Sequence, residues 1–161
     1  MAVLEPGNSF PPLRLQDSQG RPAAGPTGET LYAFFKTTCP TCELTWPYLE
    51  RLRVLAGDGG VAVVAVSQDD PARTEAFNER LSTTRIWTLY DPPPWRASDA
   101  VGATSVPTLF LVADGRIRET LVGFEKRKWE DLAVRAAVPG REGVRDALFR
   151  PDEKVPALRP G

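Results

Sequence analysis

Phe34-Phe35-Lys36-Thr37-Thr38-Cys39-Pro40-Thr41-Cys42 carries an apolar run into the only two cysteines of the 161-residue chain, two residues apart. The run 31–35 reads as a buried central strand. Leu44, Tyr48, Leu49, Leu52 and Leu55 recur behind it at helical spacing, so the stretch passes from strand to helix. With Cys39 as N-cap, Pro40 takes the first helical position, where its missing N–H costs nothing. Cys42 then lies on the same helical face as Cys39. The unpaired N–H groups of the first turn and the positive end of the helix dipole stabilise a thiolate at Cys39. Such a thiolate is a nucleophile near neutral pH. The helix is expected over 40–56, kinked at Pro47 and ended by Gly57-Asp58-Gly59-Gly60.

Working outward, the uncharged, β-branched run 61–66 reads as a second buried parallel strand, and 72–81 as a short amphipathic helix. A third strand is expected over 87–90. Asp91-Pro92-Pro93-Pro94-Trp95 is a stiff loop into a helical turn over 97–101, read as a rigid connector or, second, as the wall of a partner groove. Strands over 106–112 and 117–122 meet across Ala113-Asp114-Gly115-Arg116, a hairpin signal. A helix over 126–138 closes the pattern. Before the core, 1–28 is an extension with a short edge strand or hairpin near 13–16. After it, 139–161 holds a weak helix over 142–149 and a Pro-rich tail, 151–161, expected to be extended or disordered. Domain 1–138 therefore reads βαβαβ followed by a hairpin and a helix. Right-handed crossovers turn that order into a three-layer α/β/α fold with a mixed central sheet. The cysteine pair falls at the C-terminal end of a central strand, where ligands of open α/β sheets sit.

A chain of this length buries a core without covalent staples, and a bridge across two residues removes little chain entropy. The pair is therefore expected to be chemical, not structural. Formal net charge is −1 with no long basic run, which gives no electrostatic case for nucleic acid or an anionic membrane. No apolar run approaches a membrane span and no leader pattern opens the chain. Cytoplasmic location is the expectation as the sequence stands; the alternative is an extracytoplasmic protein whose leader has been removed. With two cysteines and no histidine, a closed zinc site would need carboxylates or a second subunit, so no metal is expected.

The strand-to-helix stretch, Pro47 five residues past Cys42, and Ser105-Val106-Pro107-Thr108 ahead of an apolar strand together resemble the thioredoxin fold. The finer resemblance is to TlpA-like and AhpC/TSA-type redoxins. It rests on 8–15, on the "V-x-V-S-x-D" segment 64–70 and on the hairpin 111–117, and covers roughly 8–138. It implies a thiol-disulfide oxidoreductase, monomeric, acting on protein disulfides or dithiols with an unidentified redox partner. Its only cofactor would be the redox-active disulfide Cys39–Cys42. Cys39 attacks and Cys42 resolves. Pro107 is cis, the Val106 backbone pairs with an extended substrate, and Thr38, Pro40 and Thr41 line that site.

Three departures from the family pattern stand out. Thr38 replaces a common Trp, Ala33 a buried acid, and Thr45 a Glu, so Cys42 lacks its usual carboxylate. Lys36 either lowers the Cys39 pKa by proximity or is a solvated strand-end lysine. Glu43 reads as a first-turn dipole partner, and Trp46 as core or as a contact of the disulfide. Asp69 and Arg85 have no assignable partner. A peroxiredoxin-type peroxidase is the rival enzyme, but its Pro-x-x-x-Thr/Ser-x-x-Cys pattern fits neither cysteine. A redox-sensing binding module is the rival without turnover.

Overall fold

The computed structural model describes residues 2–161. In chain order its elements are β1 (Leu15–Gln16), β2 (Pro22–Ala23), β3 (Thr30–Phe35), α1 (Pro40–Ala56), β4 (Ala62–Ser67), α2 (Pro71–Leu81) and β5 (Trp87–Tyr90). There follow α3 (Arg96–Val101), β6 (Thr108–Ala113), β7 (Arg116–Val122), β8 (Phe124–Glu125), α4 (Lys126–Ala136), α5 (Val144–Leu148) and β9 (Leu158–Arg159). Strand order in the main sheet is β2-β1-β5-β4-β3-β6-β7. The pairs β3–β4 and β4–β5 are parallel, while β3–β6, β6–β7, β1–β5 and β1–β2 are antiparallel. The sheet is therefore mixed, with β4 at its centre and β3 beside it.

Both faces of β3 are covered, which is why its residues are apolar without alternation. On one face Phe35 packs on Trp46 of α1, with ring centroids 4.2 Å apart, and on Phe77 of α2 at 5.4 Å. On the other face Phe34 meets Phe110 edge-on, and Phe10 of the N-terminal segment stacks on Tyr32. That segment is tied to α3 by the Leu4 N–H donating to the Val101 carbonyl at 3.0 Å. The result is the thioredoxin-like α/β/α arrangement. Among the described residues no helix is long and apolar enough to cross a membrane.

α1 is assigned as one helix with Pro47 inside it, and the proline has no N–H for the Glu43 carbonyl. α2 is capped by Asp70, whose carboxylate accepts the Arg73 N–H at 2.8 Å, with Pro71 in the first turn.

The segment 151–161 is extended but neither free nor disordered. Arg51 of α1 holds Glu153 through two bonds of 2.5 and 2.9 Å, and Leu158–Arg159 pairs antiparallel with Phe124–Glu125. Proline-rich composition says nothing about such long-range partners, which is why the sequence left an extended and a disordered tail both open. Upstream, Leu148 and Phe149 are buried, and Phe149 packs on Tyr48 and Phe124.

Candidate active site

The loop 36–39 carries the chain from β3 into α1. Cys39 is the N-cap: its backbone is extended (φ −90°, ψ 114°), its Sγ accepts the Cys42 N–H at 3.1 Å, and Pro40 opens the helix. This is the geometry expected from the sequence. The same Sγ, as a thiol, donates to the Val106 carbonyl at 3.4 Å. Val106–Pro107 is a cis peptide, so the loop ahead of β6 lies against Cys39. Cys39, Cys42, Val106 and Pro107 are thus brought together. Thr38 and Pro40 are exposed beside them, whereas Thr41 is buried.

Cys39 and Cys42 differ because their surroundings differ. The Cys39 pKa falls to about 6, chiefly through the hydrogen bond from the Cys42 thiol. Partial burial opposes the shift; the N–H groups of Cys42 and Thr41 and the positive charge of Arg159 add to it. Cys42 is fully buried, and burial first, then its bond to the Cys39 sulfur, push its pKa upward. A half-buried, low-pKa thiol backed by a fully buried, protonated one is arranged for thiol–disulfide exchange.

No side-chain acid replaces the missing family carboxylates at two of the positions read from the sequence. Ala33 is buried, and the Thr45 hydroxyl donates to the Thr41 and Cys42 carbonyls at 2.9 and 3.2 Å. Glu43 faces Arg80 at 3.6 Å, and Trp46 is wholly core. Lys36 sits with its ammonium 5.8 Å from the centroid of the Trp95 ring. The cation acting on Cys39 is Arg159, from a segment 120 residues further along the chain.

Asp69, which had no partner in the sequence reading, proves to brace the site. Its Oδ2 accepts both the Thr37 N–H at 2.7 Å and the Thr37 hydroxyl at 2.9 Å, fixing the turn that leads to Cys39. The "V-x-V-S-x-D" segment was the available signal. Trp95, of the stiff proline loop, donates its indole N–H to the Gln68 carbonyl at 3.0 Å beside that turn. Two further residues of the site, Thr41 and Val106, touch the segment 160–161. The Thr41 hydroxyl donates to the Pro160 carbonyl at 2.6 Å.

The chain is 27% identical over 122 residues to the thiol-disulfide oxidoreductase ResA of Geobacillus thermodenitrificans (strain NG80-2), covering 73% of this chain and 69% of that protein. Its fold matches the thioredoxin domain of a thiol-disulfide oxidoreductase from Bacteroides vulgatus, with TM-score 0.65 and 19% identity over 76% of this chain and 91% of that one. A peroxiredoxin-like protein from Aquifex aeolicus is also similar, with TM-score 0.60 and 16% identity over 75% and 77% of the two chains. At such identities the structural matches speak for the fold alone. The model of the Redoxin family, however, matches residues 5–137, spanning the whole sheet and the cysteine pair, and the chain belongs to that family.

Proposed function

We propose that the protein is a thiol-disulfide oxidoreductase that exchanges disulfides with protein thiols through Cys39 and Cys42. The observation that carries this reading is the asymmetry of the pair: one sulfur at the helix N-terminus with a pKa near 6, the other buried behind it with a raised pKa. In the reducing direction the Cys39 thiolate attacks one sulfur of a substrate disulfide. The substrate S–S bond breaks, a Cys39–substrate bond forms, and the departing thiolate takes a proton from solvent. Cys42 then gives up its proton and attacks the Cys39 sulfur, releasing the second substrate thiolate. Two electrons have passed to the substrate and Cys39–Cys42 is a disulfide. Run backwards, the same steps oxidise a dithiol. The cis Val106–Pro107 peptide, Thr38, Pro40 and Thr41 form the face on which an extended substrate segment lies. The dithiol is the only cofactor this chemistry requires.

Reduction of insulin with a thiol regenerant tests the reading. Cys39→Ser is expected to abolish turnover, and Cys42→Ser to accumulate mixed disulfides. No turnover in the parent protein would indicate a redox sensor, and rapid consumption of hydrogen peroxide with a thiol donor would indicate a peroxidase.

A further inference from the structure

We propose that the segment 157–161 is an internal occupant of the substrate face, so that a protein disulfide reaches Cys39 only when this segment swings away. The inference rests on the oxidoreductase reading above, and it deepens that reading by adding a device that sorts substrates by size.

The contacts bracket the reactive sulfur. On the helix side, Thr41, inside the cysteine motif, donates its hydroxyl to the Pro160 carbonyl at 2.6 Å. On the loop side, the backbone of Gly161 lies so close to Val106 that a Cβ there would overlap the Val106 carbonyl oxygen. That oxygen is the one 3.4 Å from Cys39 Sγ. Gly123, which follows β7, adopts a φ of +71°, and a Cβ on it would stand 3.0 Å from the Arg159 carbonyl oxygen and 3.1 Å from the Gly161 nitrogen. Two glycines therefore let backbone pass backbone beside the site. Arg159, carried by the same segment, lends its charge to Cys39.

The segment is firmly tethered upstream and weakly seated at the site. Glu153 is gripped by Arg51, and Val155 packs on the core. From Pro156 onward every residue is exposed, Leu158 at 67% of its surface. β9 is two residues long, and Lys126 N–H to Ala157 carbonyl (2.9 Å) is its flanking bond. A seat with few bonds and no apolar burial opens at low cost. A partner that needs the Val106 backbone and the Thr41 side of the groove competes with it. A disulfide that needs only the sulfur does not.

The test compares two disulfides against the reduced protein: insulin, and neutral hydroxyethyl disulfide, which requires no groove. Two variants unseat the segment, deletion of 157–161 and, keeping the full chain, Gly161→Val, whose side chain cannot fit against Val106. Apparent affinity scales with the fraction of molecules whose groove is open, so both variants should raise the insulin rate about fivefold or more. The hydroxyethyl disulfide rate should change only as it does in Arg159→Gln, so that the insulin to hydroxyethyl disulfide ratio rises in both variants. Arg159→Gln separates charge from obstruction, since it should shift both rates together. An insulin to hydroxyethyl disulfide ratio that is unchanged or lower in variants still reactive toward the small disulfide overturns the proposal. A parent protein inert toward both disulfides defeats the oxidoreductase reading itself.

Discussion

Cys39 owes its reactivity to groups that a point substitution can address singly. Only the thiolate is alkylated at an appreciable rate, so the rate constant for Cys39 with iodoacetamide should rise tenfold per pH unit below about 6 and level off above it. A titration midpoint near 8.5, the value of a free cysteine, would show that the hydrogen bonds from Cys42 and Thr41 do not act on the sulfur. Asp69 acts one step back. Asp69→Ala leaves the Thr37 N–H without the bond it makes at 2.7 Å, which should cost about 1 to 3 kcal/mol in chemical denaturation and slow insulin reduction. Asp69→Asn, which retains an acceptor oxygen, should recover much of the loss. Of the two readings of Lys36, tuning cation or solvated strand-end lysine, the exposed side chain beside Trp95 fits the second, while the charge that lowers the Cys39 pKa comes from Arg159.

Among the elements, the segment 150–159 is tied to α1 by one ion pair, beyond the buried Leu148 and Phe149. Arg51 of α1 donates to both carboxylate oxygens of Glu153 and to the Leu148 carbonyl at 3.1 Å. The guanidinium holds the Glu153 pKa down to about 2, helped by the Arg150 N–H. A carboxyl whose folded pKa is depressed adds stability that is complete above its unfolded pKa of about 4.5 and disappears as pH falls toward 2. Protection factors in β8 and β9 should therefore fall between pH 4.5 and 2 before those of the main sheet, and Glu153→Gln should lower them already at neutral pH. Equal protection of β8 and β9 in Glu153→Gln and the parent would contradict this account.

Across the whole molecule, the pH dependence of stability should differ between redox states. In the dithiol, a Cys39 pKa near 6 against an unfolded value near 9 gives stabilisation that is complete above 9 and lost as pH falls through 6. Melting temperatures of the reduced protein should rise relative to the oxidised protein between pH 6 and about 8.5, because the disulfide has no thiolate to stabilise. A constant difference across that range would rule this out. What the sequence made legible follows the same division between local and distant causes. The Cys39 cap, the Pro40 start, the strand runs and the Asp114-Gly115 hairpin depend on neighbours in the chain, and each lies where its pattern indicated. The bonds from Thr37 to Asp69 and from Thr41 to Pro160 span 32 and 119 residues. No periodicity or turn signal encodes such contacts. Exposed, proline-rich segments look alike whether they hang in solvent or cross a site.

The buried Cys42, with Ala33 and Thr45 where acids were expected, has an electrochemical consequence. Above pH 6 the reduced pair carries one sulfur-bound proton, that of Cys42, and below pH 6 it carries two. Reduction thus takes up two protons per two electrons in acid and one at neutral pH. A plot of midpoint potential against pH should fall by about 59 mV per unit below the bend and about 30 mV per unit above it, with the bend at the Cys39 pKa. Protein-film voltammetry would read that line directly. Because burial pushes the second thiol above the ordinary cysteine value of 9, the shallow slope should continue past pH 9.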